Sequence, residues 1–257
     1  MDDIGNLTKK EIISKIIEKK EFSQLPAKDV ELAFEKFDKP KNAEYQKLKL
    51  TRNFLRKVYS SFSSRKLLNP KEFDKEYVLK KHKSTKERLE FYGEIYKRIL
   101  SDEKTVIDLG AGVNGFSYDY FGKKVDYVAT EAVGQLVDLM NFYFKKNKIN
   151  GKAVHISLFD LKGTIQLIKK TKKPRLILLF KVIDSLEVMK RDYSKELLLE
   201  LGKLGDKIVL SFPTRSLGKR QKFEAQRKWI LNFIRYNFEV LDEFDFGGEK
   251  YLSFQKK

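Results

Sequence analysis

Thr105-Val-Ile-Asp-Leu-Gly-Ala-Gly-Val-Asn114 is the stretch that decides the fold. An apolar run carrying a carboxylate near its end, Asp108, breaks into a turn with glycines at 110 and 112. Glycine admits positive φ and lets the backbone approach a ligand with no Cβ in the way. In an open α/β sheet such a turn sits in the crevice at the carboxyl end of a strand, where ligands bind. A plain strand-to-helix turn is the alternative, so the flanking sequence has to decide between them.

Downstream the chain alternates strand and helix, the pattern of parallel strands with crossover helices. Strands are predicted at 104–109, 125–130, 152–157, 175–181 and 207–212, with helices near 133–147, 162–170, 190–203 and 219–236. Val240 to Phe246 and Lys250 to Gln255, joined by Gly247-Gly248, read as a hairpin. Upstream of about residue 100 the period is helical. Thr8-Lys-Lys-Glu11 forms a capping-box pattern ahead of Ile12, Ile13, Ile16 and Ile17, and Pro26 opens a second helix with Val30, Leu32, Phe34 and Phe37. A third helix is expected from Ala43 to Phe62, and Ser84-Thr-Lys-Glu87 is a second capping-box pattern, ahead of Leu89, Tyr92, Tyr96 and Ile99. The expected architecture is α/β: a Rossmann-like sheet domain over 101–257 behind an all-helical extension over 1–100.

Composition narrows the function. There is no cysteine, which removes disulfides, thiolate metal sites and a cysteine nucleophile. With only His82 and His155, a histidine metal cluster is not expected. No apolar run is long enough to span a bilayer, and the first residues lack the pattern of a secretory signal. A cytoplasmic protein with no membrane partner and no metal is therefore the expectation, as a monomer. The net charge of +18 calls for a polyanionic partner. From Tyr45 to Lys71 lie Lys47, Lys49, Arg52, Arg56, Lys57, Arg65, Lys66 and Lys71 with no acidic residue between them. A second cluster holds Arg215, Lys219, Arg220, Lys222, Arg227 and Lys228. A lysine-rich solvated surface explains much of the total charge, but it explains a long acid-free window less well. Lys49, Arg52, Arg56, Lys57, Arg65, Lys66, Lys219 and Arg220 are the candidate nucleic-acid contacts.

Residues at the other strand ends supply a candidate site. Glu131, followed by Ala132, ends the second strand about 20 residues beyond the glycines, where a carboxylate can accept both ribose hydroxyls of an adenosine. After the third strand, Phe159-Asp160-Leu161 could bracket an adenine, with Asp160 accepting from its amino group; an N-cap for the following helix serves Asp160 equally well. Gly110, Gly112 and Gly115 also satisfy the GxGxxG spacing of dinucleotide sites. That motif, however, runs into a helix whose N-terminus takes a pyrophosphate, and here Phe116-Ser-Tyr-Asp-Tyr-Phe121 follows. S-adenosylmethionine (SAM) carries no phosphate and needs no such helix, and the acid-Leu-Gly-x-Gly form resembles motif I of SAM-dependent methyltransferases.

Four segments resemble the aminoglycoside-resistance 16S rRNA methyltransferases, which act on N7 of a decoding-site guanine. They are His82-Lys-Ser-Thr-Lys-Glu-Arg88 with Leu89, Asp108-Leu-Gly-Ala-Gly-Val-Asn114, Leu179-Phe-Lys-Val-Ile-Asp-Ser-Leu186 and Leu210-Ser-Phe-Pro-Thr-Arg-Ser-Leu217. The resemblance implies a class I SAM methyltransferase whose helical extension docks on the small ribosomal subunit. By the same resemblance Arg88 holds the SAM carboxylate, Gly110 and Gly112 line the methionine half, Glu131 takes the ribose, and Asp160 with Leu161 the adenine. His82 is counted with the cofactor-binding candidates but read mainly as a structural or cap-region residue, since nothing demands a histidine base. The chain departs from the pattern at Gly115, where the family has proline, at Glu131 in place of aspartate, and at Asp184.

Guanine N7 is a free lone pair on the base edge, so its methylation needs alignment rather than a general base. Lys181 and Arg215 could meet the guanine or its phosphate, and Phe212 could stack on a flipped base; a buried strand-end aromatic is the plainer role for Phe212. Lys181 with Asp184 would also suit a 2′-O methyltransferase, and a small-molecule methyltransferase or a non-catalytic RNA-binding protein remain alternatives at this stage.

Overall fold

The computed structural model describes residues 7–60, 74–214 and 227–257. Its parallel strands are β1 (Thr105–Leu109), β2 (Asp126–Glu131), β3 (Gly151–His155), β4 (Arg175–Phe180) and β5 (Lys207–Pro213). The antiparallel pair β6 (Phe238–Phe246) and β7 (Glu249–Lys256) completes a sheet ordered β3-β2-β1-β4-β5-β7-β6. Every residue of β1 and β4 is buried, as expected of central parallel strands covered by helices on both faces. The chain winds outward from β1 to β3, returns to β4 beside β1, and continues to β5. The place where that direction reverses, between β1 and β4, is the switch point at which such sheets bind ligands.

The connecting helices are α7 (Gly134–Lys146), α8 (Leu161–Lys169), α9 (Ile183–Met189), α10 (Tyr193–Gly202) and α11 (Lys228–Asn237). Their predicted counterparts agree to within a few residues, except that α9 was not anticipated and that 219–226 lie outside the described residues. The aromatic stretch Asn114–Phe121 is a 3₁₀ run, with Phe116 stacked on Tyr143 at 4.2 Å. It continues the glycine turn without an α-helix, as its composition suggests.

The upstream helices are α1 (Lys9–Ile17), α2 (Ala27–Glu35), α3 (Glu44–Leu55), α4 (Lys75–Lys81), α5 (Lys83–Arg88) and α6 (Tyr92–Ile99). Thr8 and Glu11 form the predicted capping box, the carboxylate accepting from Thr8 N at 2.7 Å. Two expectations need correction. The third helix leaves α geometry at Leu55 and passes into a π-helical turn, Arg56–Ser60; Phe62 lies outside the described residues. Ser84 does not cap a long helix either: α5 starts at Lys83, ends at Arg88, and Ser84 Oγ accepts from Arg88 Nη2 at 2.5 Å. A buried guanidinium without an acceptor costs more than an uncapped helix end, which diverts the serine.

The extension packs directly on the sheet. Gly134 N donates to Gln24 O at 3.4 Å, and Lys75 pairs with Asp119 at 2.7 Å. Among the described residues no helix is long and apolar enough to cross a membrane.

Candidate active site

At the switch point a cavity of about 860 Å³, open at its mouth, lies between the ends of β1, β2 and β4 and the extension. The glycine turn forms its floor. Gly110 has φ +69°, and a Cβ there would stand 2.6 Å from Val182 Cγ1. Gly112 has φ +59°, and a Cβ there would stand 2.7 Å from His82 Nε2. Both conformation and space therefore require glycine. Gly115, the third glycine of the motif, is explained by packing instead, with Phe144 2.6 Å from where its Cβ would lie.

One end of the cavity is cationic. Arg88 and His82 are carried there by α5 and its cap, and Lys181 follows β4. Arg88 is 2% exposed and donates to Glu249 at 3.1 Å, to Asn114 Oδ1 at 3.0 Å and to Ser84. Its guanidinium also lies 4.8 Å from the Phe180 ring centroid. Burial alone would favour discharging Arg88, but Glu249 against it holds its pKa above the ordinary value. The three bonds use three of five guanidinium N–H groups, so at most two remain for a ligand. Lys181 adopts φ +58°, a left-handed conformation that is strained for a residue with a Cβ. Its Nζ bridges Glu249 Oε2, at 2.9 Å, and Glu87. Ser211 Oγ also donates to Glu249, so one buried carboxylate of β7 gathers α5, β4 and β5.

Asp108 underlies this end. Tyr127 OH donates to it at 2.6 Å and Asn114 Nδ2 at 2.7 Å. Burial raises the Asp108 pKa and these two donors oppose the rise. Burial pushes the His82 imidazole down to about 3, with Arg88 and Lys181 adding to the effect. His82 is therefore neutral at physiological pH and cannot serve as an acid.

Another part of the lining is rich in acceptors. Glu131 takes Gly112 N and Val133 N, both at 2.9 Å, one on each carboxylate oxygen. Burial raises its pKa against those amides. Fully buried Asp29 of α2, which also lines the cavity, accepts from Tyr59 OH at 2.6 Å and from Ser157 Oγ after β3. Burial raises the Asp29 pKa too, and the bonds from Ser157 and Tyr59 counter it.

The site thus brings together His82, Arg88, Asp108, Gly110, Gly112, Glu131, Ala132 and Lys181 of the predicted residues. Others fall elsewhere. Asp160 is exposed and caps α8, accepting from Gly163 N at 3.0 Å, while Ser157, Leu158 and Phe159 form the wall where Asp160 and Leu161 were expected. The first residues after the strand turn inward, and the helix start carries Asp160 out. Phe212 is 3% exposed inside β5 and faces the Arg227 guanidinium, 5.5 Å from its ring centroid, rather than the cavity. Asp184, paired with Arg227, is turned away from Lys181. Arg215, Lys219, Arg220, Arg65 and Lys66 lie outside the described residues.

Of the basic residues on α3 and the π-helical turn after it, Lys49 and Lys57 are exposed, but Arg52 donates to Lys15 O at 2.5 Å and Arg56 pairs with Glu21 at 2.6 Å. Those two arginines fasten the extension internally. Among the described residues no cluster of three His, Asp or Glu could hold a metal.

Sequence reasoning missed Asp29, Glu87, Ser157 and Glu249. Glu87 was assigned to a capping box, and nothing near Asp29 or Glu249 in sequence marks them. Each meets its partner only after long-range folding.

The fold matches that of solved 16S rRNA methylases. RmtB superposes with a TM-score of 0.80 at 18% identity, over 98% of this chain and all of that one. RmtF, solved with S-adenosyl-L-homocysteine, gives 0.81 at 20% identity over the whole of both chains. An rRNA methylase from Escherichia coli gives 0.77 at 19% identity, covering 96% of this chain and 99% of its own. No curated protein matches the chain by sequence. Residues 73–230, from just before α4 to the first turn of α11, match the family described as ribosomal RNA methyltransferase (FmrO). The kinship read from four sequence segments therefore holds at family level: this chain belongs to the ribosomal RNA methyltransferase (FmrO) family.

Proposed function

We propose that the chain methylates 16S rRNA in the small ribosomal subunit, at N7 of a decoding-site guanine, with SAM as donor. The observation that carries the reading is a cavity lined by a buried arginine and by buried carboxylates around a glycine turn. SAM has the matching polarity: an amino-acid end with a carboxylate, and a nucleoside end with ribose hydroxyls and an amine. Arg88 would hold the carboxylate with the N–H groups its structural bonds leave over. Glu131 would accept from the ribose, keeping its backbone partners on other lone pairs. Gly110 and Gly112 fit because a Cβ at either position would collide with Val182 or His82, both of which line the pocket. The wall at Ser157 to Phe159 would face the adenine.

SAM supplies an activated methyl on a sulfonium, and N7 needs no deprotonation to accept it. The residues here agree with that economy. His82 is neutral and buried, and Lys181 would have to surrender two carboxylates to act as a base. Catalysis then rests on alignment, with Lys181 kept rigid at the mouth of β4. The extension, residues 1–100, would recognise shape and phosphates, because an RNA helix hides its major groove from side chains. Lys49 and Lys57 are its exposed candidates among the described residues, joined by Arg65, Lys66, Lys219 and Arg220 from the sequence.

The test is incubation with tritiated-methyl SAM and either small subunits, large subunits or deproteinised rRNA, with a Gly110→Ala control. Label in small-subunit rRNA, recovered as 7-methylguanine, is the expected result. Label at another atom overturns the N7 assignment, and SAM binding without RNA labelling overturns the RNA substrate.

A further inference from the structure

The proposed role of the helical extension is to reach for RNA, yet its most buried charge lines the cavity instead. Asp29 is 0% exposed, on a nine-residue helix whose other buried positions are apolar apart from it. It lines the cavity together with Val58 and Tyr59, all from the extension. Its two donors come from opposite sides: Tyr59 OH from the π-helical turn, and Ser157 Oγ from the loop after β3. Ser157 Oγ in turn accepts from Phe159 N at 3.0 Å, fixing the wall on which the base would lie. A buried carboxylate is costly unless its acceptor capacity is used. Two hydroxyls leave part of that capacity unused, and Asp29 and Glu131 both line the cavity.

We infer that Asp29 is a cofactor-positioning residue supplied by the extension, joining Glu131 at the donor-seeking nucleoside end of the pocket, so that cofactor binding and seating of the extension are coupled. This rests on the SAM reading of the cavity. The coupling is reciprocal: a ligand that binds only when α2 is seated must also hold α2 in its seat. Binding of cofactor thereby tightens the surface that presents Lys49 and Lys57, and it does so without moving the sheet. Tyr59 provides the mechanical link, because its phenol bonds to Asp29 while its backbone belongs to the turn that ends α3.

The experiment combines calorimetry and hydrogen exchange, using S-adenosylhomocysteine so that turnover does not intervene. For the wild-type chain, ligand should slow exchange in residues 27–35 and 56–60 as well as at the glycine turn. Asp29→Asn, isosteric but uncharged, should raise the Kd about tenfold, the size of one lost hydrogen bond to a charged group. It should also abolish the ligand-induced slowing in 27–35 while leaving that at 110–112. Ser157→Ala should raise the Kd by less, and should add little on top of Asp29→Asn. If Asp29→Asn does not fold, Tyr59→Phe removes one donor, keeps the ring, and should show the same loss of protection in weaker form. Tight binding to folded variants with the Kd unchanged, or slowing confined to the sheet in the wild type, overturns the inference. A wild-type chain that binds no S-adenosylhomocysteine overturns the SAM reading itself, and this inference with it.

Discussion

His82 and Gly112 show how far a single position is determined by its neighbour. The imidazole rests against the glycine, so neither can change alone. Gly112→Ala would combine a left-handed backbone with a contact of 2.7 Å, a cost of roughly 1–3 kcal/mol from the backbone conformation alone. We expect it to lower the melting temperature and weaken SAM binding at least tenfold, as read by calorimetry. His82 makes a separate, pH-dependent contribution. Its folded pKa, about 3, lies below the ordinary 6.5, so its stabilisation is fully present above pH 6.5 and is lost as pH falls towards 3. At about 1.4 kcal/mol per pH unit of separation, the upper limit is about 5 kcal/mol. Urea unfolding of the wild type and His82→Asn from pH 7.5 to 4 should show the gap between them narrowing on acidification. A gap constant over that range would refute the prediction. The sequence suggested the glycines because their spacing is local. It placed His82 only as a residue of the cap region, because its burial depends on α5 meeting β1.

At the scale of elements, the decisive contact joins α5 to β7. Arg88 and Glu249 are 3% and 1% exposed in their side chains, so breaking the pair leaves a buried charge uncompensated, a loss of about 3–5 kcal/mol. Glu249→Gln should therefore destabilise strongly in denaturant titrations, since Lys181 loses a partner too. The double variant Arg88→Met with Glu249→Gln should cost less than the sum of the single changes. If the two effects simply add, the pair is not coupled. The strands were legible because β1, β4 and β5 are largely apolar runs between turns. Helix α9 was not, since Ile183-Asp-Ser-Leu186 directly follows a strand and carries no breaker. Asp160 illustrates a different limit: the same residue type serves as ligand acceptor or N-cap, and only the direction of the loop, set by Ser157 bonding to Asp29, decides between them. The hairpin was readable from Gly247-Gly248, but its neighbour Glu249 carried no sign that it would face a cation 161 residues away.

The whole molecule divides its positive charge between holding itself together and presenting itself. Arg52 and Arg56 are committed to the extension's own interior and edge, whereas Lys49 and Lys57 face outward. Composition counts all four alike, which is why the sequence could locate a basic helix but not say which of its cations are exposed. Lys49→Glu with Lys57→Glu should reduce methylation of small subunits and lower the salt dependence of RNA binding by about two in log–log slope. The Kd for SAM should stay as in the wild type. Arg52→Ala should instead reduce thermal stability. Equal loss of SAM affinity in the lysine pair would count against a docking role for this face.

The order in which these charges are synthesised has a consequence of its own. A ribosome making this chain adds Glu249 long after Arg88 and Lys181, so the growing polypeptide holds two cations destined for burial and no anion from β7 to receive them. The pocket cannot mature in step with the glycine turn, although that turn has been made more than a hundred residues earlier. An enzyme whose substrate is ribosomal RNA thus stays immature until its hairpin has been made, and its activity begins with the closing of the sheet.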